Sequence, residues 1–286
     1  MQEIIFESTN KGDWLRKLSD IYNSYKDVSK NTSISVVFSR SVKSSSFLPI
    51  HLVTLACLIQ YLFDKGHKVY LNNTENKEVF EYLYNDLMFS AYWSGGKNHV
   101  NATLSSNIFN LWRIIDKEKD LYAKNVEAYF KNILPGKDLS PISIALTESY
   151  YNIFDHAYAE ENAFSLLKYD KSKNTLYAAI SDFGIGIATS VRKVEKNITD
   201  DVDALKQAFK YSFTVRSTER NRGFGLNNII ASSTTARVFS GNALMVHTNS
   251  ANKYYHTDFR YYGTLIYFEV DLSSLQAEEI IEEFDW

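Results

Sequence analysis

The chain has 286 residues, of which 45% are hydrophobic, with Tyr 20 and Phe 18, so it carries apolar surface for one large domain or two ordinary ones. That composition excludes intrinsic disorder, and a formal net charge of −3 provides no global basic field for nucleic acid. The single cysteine, Cys57, excludes an internal disulfide framework and fits a reducing compartment. No window approaches the roughly 18 apolar residues that span a bilayer. The first residues, acidic early and without a continuous apolar core, do not read as a signal peptide. A soluble, cytoplasmic protein without a membrane partner is expected.

In chain order, residues 34–38 (ISVVF) are a β-branched run and predict a buried strand. Residues 39–46 are polar and read as a loop. Residues 48–63 are apolar throughout and open on Pro49, which favours a helix start. Cys57 lies inside this run and reads as a small buried hydrophobe. A stop at 64–67 is followed by a second strand at 68–71 (KVYL). Residues 76–89 place Val79, Phe80, Leu83 and Leu87 at helical spacing. This alternation predicts a small α/β domain over 1–100.

Residues 101–134 read as a helical connector, with one convincing helix over 118–133. The break at Leu134-Pro135-Gly136-Lys137 opens a second domain, 135–286. A long helix is expected over 142–159, and a strand over 176–180 running into Asp182-Phe183-Gly184-Ile185-Gly186. The polar stretch 187–222 contains a helical piece near 202–213, and another helix opens at 223–232. Strands over 238–248 and 261–272 precede an acidic tail read as a short helix.

Three segments of the second domain carry candidate chemistry. On the helix over 142–159, Glu148, Asn152 and Asp155 recur at i, i+4 and i+7 and share one face. A carboxamide beside carboxylates suits a hard cation such as Mg, which takes oxygen ligands and keeps several waters. A carboxylate one turn away can orient or deprotonate water. The plain alternative is a solvated polar stripe. At the end of a strand, Asp182 with Gly184 and Gly186 gives a carboxylate beside a backbone that permits close approach by a ligand. The plain alternative is an ordinary strand–turn. Gly223, Phe224, Gly225 and Leu226 sit directly before a helix, where free N–H groups and the helix dipole attract phosphate. The plain alternative is a helix start that happens to contain glycine.

Taken in this order, with a polar stretch between the second and third, the segments resemble the GHKL superfamily of ATP-binding domains (gyrase, the heat-shock chaperone, histidine kinase, MutL). Glu148-x3-Asn152-x2-Asp155-His156 resembles its N box, Asp182-x-Gly184-x-Gly186 its G1 box and Gly223-x-Gly225-Leu226 its G2 box. Gly263-Thr264 is similar to its terminal Gly-Thr, and the match covers about 140 residues. The resemblance implies an α/β fold of the Bergerat type: a two-layer sandwich on a mixed sheet. It implies ATP and Mg as ligands, Asn152 on the metal, Glu148 as general base, and Asp182 on the adenine amine. Thr264 would support adenine, while Gly223, Gly225 and Leu226 would cradle phosphate. Residues 187–222 would form a lid over the nucleotide, with Arg216, Ser217, Thr218 and Arg222 on the phosphates. Arg192 and Lys193 read better as solvated surface. The first domain, through 34–38, 48–63 and 68–71, resembles the STAS-like domain that precedes some bacterial GHKL modules.

The resemblance leaves several activities open. Only about 15 residues follow the last strand, which leaves no room for the transducer domain of gyrase, MutL and the chaperone. No helical hairpin bearing a phosphoacceptor His precedes the module, which argues against a histidine kinase. An ATP hydrolase or ATP-gated switch, a protein serine kinase of the anti-sigma-factor type, and a nucleotide sensor with negligible turnover remain. Each would work with a protein partner or as a homodimer.

Overall fold

A computed structural model describes residues 1–28, 31–93, 107–156, 163–210, 225–248 and 251–278 of the protein. The fold is of the α/β class. It begins with β1 (Gln2–Phe6), α1 (Lys11–Tyr25), β2 (Ser33–Phe38), α2 (Pro49–Asp64) and β3 (Lys68–Leu71). The three strands form a parallel sheet in the order β1-β2-β3. Two β–α–β crossovers that advance in the same direction place α1 and α2 on one face of it.

Local chemistry fixes these elements. The Asn10 side chain caps α1 by accepting the N–H groups of Gly12 and Asp13. Trp14, Leu18, Ile21 and Tyr25 then face the core. In α2, Pro49 opens the helix, and every residue from Pro49 to Gln60 is buried. A helix apolar on all sides must be covered on all sides. The helix predicted over 76–89 is α3 (Lys77–Glu81) followed by one π-helical turn, Tyr82–Asp86; a short α4 (Ser90–Trp93) follows. The chain leaves the helical path where Met88 takes φ 55.

The remaining elements are β4 (Ile108–Ile114), α5 (Lys119–Ile133), α6 (Ser140–His156), β5 (Ala163–Asp170), β6 (Thr175–Asp182), α7 (Ile187–Val194), α8 (Asp201–Ala208), α9 (Gly225–Ala231), β7 (Thr235–Thr248) and β8 (Ala251–Asp271). Five strands form a second sheet in the order β4-β5-β6-β8-β7. A mixed sheet was expected here. Every pairing among the described strands is antiparallel instead, because β5–β6 and β7–β8 are hairpins and β4 and β8 add to them in the same sense. The stretch expected to be a helical connector, 101–134, contributes β4 to this sheet and α5 to its helical layer.

Both faces of the second sheet are covered, where the two-layer expectation covers one. Helices α5 to α9 pack on one face around Tyr122, Phe130, Tyr150, Ile180, Leu205 and Phe268. The other face presents Leu166, Ala179, Phe239, Leu265 and Tyr267 to α1 and α2 in one continuous core with the parallel sheet. Among the described residues, no helix is long and apolar enough to cross a membrane.

Candidate functional site

Strand β6 is buried along its length and ends on Asp182, whose side chain has no exposed surface. One carboxylate oxygen accepts the Gly184 N–H at 2.6 Å, and the other accepts the Thr264 N–H at 3.0 Å. The Thr264 hydroxyl also supports this carboxylate and accepts the Ile187 N–H at 3.2 Å. Gly186 and Gly263 hold φ 78 and 90, in the region that favours glycine. A Cβ at Gly186 would lie 2.4 Å from the Gly263 carbonyl oxygen, and one at Gly263 would lie 2.2 Å from that of Asp182. Glycine at 186 thus serves the packing of two chain segments against each other. Burial pushes the Asp182 carboxyl up to about 8, while the hydrogen bonds from Gly184 and Thr264 pull it back toward its ordinary range.

The structure therefore brings Asp182, Gly184, Gly186 and Thr264 into one knot, although 264 is far from the others in sequence. Ser240 closes it. Its hydroxyl accepts the Ala188 N–H at 3.0 Å and donates to the Gly263 carbonyl at 3.3 Å. Helix α7 leaves this knot directly after Gly186 and packs against α6.

Helix α6 carries the second group. Its core face is held by Tyr150, whose hydroxyl meets that of Ser165 at 2.9 Å, and by Ile153 and Leu146. Asn152 is buried and Glu148 half-buried, so this stripe is not a solvated one. The Asn152 amide nitrogen donates to the Glu148 carbonyl at 2.7 Å. The Glu148 carboxylate accepts the Asn228 amide of α9 at 3.4 Å. Burial raises the Glu148 carboxyl above its ordinary range, and the Asn228 contact opposes that shift.

Gly225 is the first residue of α9, and Leu226 is buried in the helical core beside Ile229. The side chain of Asp155, together with Arg216, Ser217, Thr218, Arg222, Gly223 and Phe224, lies outside the described residues. Within 187–208, read as polar, Ile187, Ala188, Val191, Val202, Ala204 and Leu205 lie in the core. The rest of the lid expected over 187–222, from 211 on, lies outside the described residues. One expectation is corrected. Arg192 is no solvated surface residue. It pairs with the buried Asp201, which also takes Arg260 at 3.3 Å and the Asn242 N–H at 2.9 Å.

Ser240 and Asn228 escaped the sequence reading. The Ser240-Gly241 pair inside an apolar strand marks a bulge, which is the one signal that pointed to it. Asn228 carries no spacing signal, because its partner lies on another helix. No protein-family model matches the chain, and no curated protein sequence is similar to it.

Proposed function

We propose that the second sheet and its helical layer form a Mg-dependent ATP-binding site of the GHKL type, on a Bergerat-like fold, acting as an ATP hydrolase or ATP-gated switch. The observation that carries this reading is the knot at Asp182. A buried carboxylate faces one backbone N–H from its own glycine turn and one from strand β8, next to the helix that bears Glu148 and Asn152. A buried, ionisable acceptor among fixed donors suits recognition of an exocyclic amine.

The described residues fit magnesium carried on phosphate. Among them no group of three or more His, Cys, Asp or Glu could hold a metal by itself. Mg2+ riding on phosphates needs one or two protein oxygens, and the side-chain oxygen of Asn152, whose nitrogen is held by the Glu148 carbonyl, would supply one. The metal would neutralise charge on the phosphates. Glu148 would hold and accept a proton from water, and Asn228 would orient its carboxylate. The N–H groups around Gly225 would face phosphate.

Titration calorimetry tests this. Purified protein with magnesium should release or absorb measurable heat with a nonhydrolysable ATP analogue, and a flat titration overturns the proposal. Phosphate release by the protein alone then marks a hydrolase, and label transfer to a protein serine marks a kinase. Binding with neither marks a sensor.

A further inference from the structure

A second concave site lies away from Asp182 and α6, between the turns that flank α2 and α3 and the β4 edge of the second sheet. A cleft of about 510 Å3 is lined by Ser44, Ser45, Tyr82, Asn85, Asn107 and Lys168, among others. Its walls come from the turn that precedes α2, from the π-helical turn, from the edge strand β4 and from its neighbour β5. Lys168 lies on β5, half-buried, and its ammonium donates to the Phe47 carbonyl at 3.1 Å. No described carboxylate forms an ion pair with it. Asp170, on its own strand, attracts it through space but is turned to cap the following bend, accepting Ser172 N–H at 3.0 Å and the Ser172 hydroxyl at 2.6 Å. An ammonium withdrawn from water normally has an anion beside it, because burial of an uncompensated charge is costly.

We propose that this cleft binds a compact oxyanion, a phosphate or carboxylate group, with Lys168 as its cationic anchor. The hydroxyls of Ser45 and Tyr82 stand on the same walls and can donate to the remaining oxygens, while the Asn85 amide already donates to Glu81. Asp86 lines the cleft as well, and its charge opposes an anion there, most strongly a multiply charged one. The Ser44 N–H and hydroxyl are already engaged by Glu78 at 2.8 and 2.7 Å, so they hold the wall in place. The cleft is bounded by the turn before α2, the π-helical turn and one edge of the second sheet, so an anion there would tie those turns to that edge.

Competitive acylation of the full-length protein, read lysine by lysine by mass spectrometry, tests the site. Burial lowers the Lys168 pKa and so increases its reactive neutral fraction. A bound anion opposes this, and each unit by which it raises the pKa slows labelling roughly tenfold. Inorganic phosphate and acetate are titrated separately against chloride at matched ionic strength. Slowing of Lys168 by phosphate or by acetate, with exposed Lys173 unchanged, supports the proposal and tells which group binds. Labelling that responds to chloride equally, or to neither oxyanion, overturns it. Phosphate held only near α6 and α9 would leave Lys168 labelling unchanged, so failure here is separate from failure of the nucleotide reading. In Lys168→Met, which keeps the apolar stem, broadening of the phosphorus resonance of free phosphate through this site should vanish. Unchanged broadening with unchanged Lys168 protection in the parent protein also sinks the idea.

Discussion

Replacing Asp182 with asparagine isolates the charge of the buried turn. In the free protein burial holds this carboxyl up to about 8, against an ordinary 3.8. An adenine amine donates best to the ionised oxygen, so binding should release a proton. Below about pH 8 the ionised fraction shrinks, and apparent affinity for ATP should fall roughly tenfold per pH unit. Asp182→Asn removes that titration. It also sets an NH2 group against the Gly184 or Thr264 N–H, or against the adenine amine itself. Loss of one charge-assisted hydrogen bond costs about 1.5–3 kcal/mol, or roughly ten- to a hundredfold in affinity. The same proton bears on stability. Between pH values near the ordinary 3.8 and about 8, the folded state keeps a proton that the unfolded chain has released. Stability therefore falls as pH rises through that window, by up to about 1.4 kcal/mol per unit. The variant should lack this slope. Calorimetry across the window, with a nonhydrolysable ATP analogue and with one lacking the exocyclic amine, decides the matter. Wild-type affinity that is flat in pH would refute the reasoning. So would equal losses of the two nucleotides in the variant.

Three further substitutions address the other contacts. Glu148→Ala should retain nucleotide binding and slow phosphate release by roughly 10²–10⁴, the usual worth of a positioned base; normal turnover would place the base elsewhere. Asn152→Ala should abolish Mg-dependent binding in the same calorimeter, and binding that still responds to magnesium would remove this amide from the metal. Asp201→Ala strips the shared carboxylate from Arg192 and Arg260. It should cost about 1–3 kcal/mol in urea denaturation, since both cations can turn toward water, and an unchanged midpoint would show that the network contributes nothing.

What was legible follows from where the signal is local. The strand at 68–71 and the helix after Pro49 are readable because β-branched and apolar runs end on turn residues. The Asp182 turn is readable because its glycines sit two apart. Strand β1 and helix α1 were missed, although Trp14, Leu18, Ile21 and Tyr25 repeat at helical spacing behind the cap Asn10. Strand β4 was missed because its assignment rests on pairing with β5, which lies some fifty residues on. The role of Thr264 was anticipated only in part. Its hydroxyl faces Asp182 and Ile187 within the protein. Ser240 and Asn228 act across elements, and no local pattern marks a residue whose partner is brought in by the fold. Packing of α7 and α8 into the core was hidden by their charged outer faces.

A sequence that divides into two resemblances invites the expectation of two autonomous units, and the shared core argues the reverse. Helix α2 is buried on every side because it fills the space between two sheets. Phe183, inside the turn that carries Asp182, makes edge contacts with Tyr22 and Tyr61 of α1 and α2 at 5.9 and 6.2 Å, and with Tyr261 at 5.9 Å. Tyr61 stacks on Tyr22 in turn, and Cys57 sits close enough to Ser181 to hydrogen-bond with it. Removing residues 1–106 would bare Leu166, Tyr177, Ala179, Leu265 and Tyr267 on one sheet face. Each large side chain returned to water costs about 1.5–3 kcal/mol, and together they are comparable to the whole margin by which a domain is stable. A fragment of residues 107–286 should therefore lack a cooperative thermal transition and should aggregate. A monomeric fragment that melts cooperatively near the temperature of the full chain would show that the second sheet needs no cover, and that the first unit is an attachment instead of part of the same core.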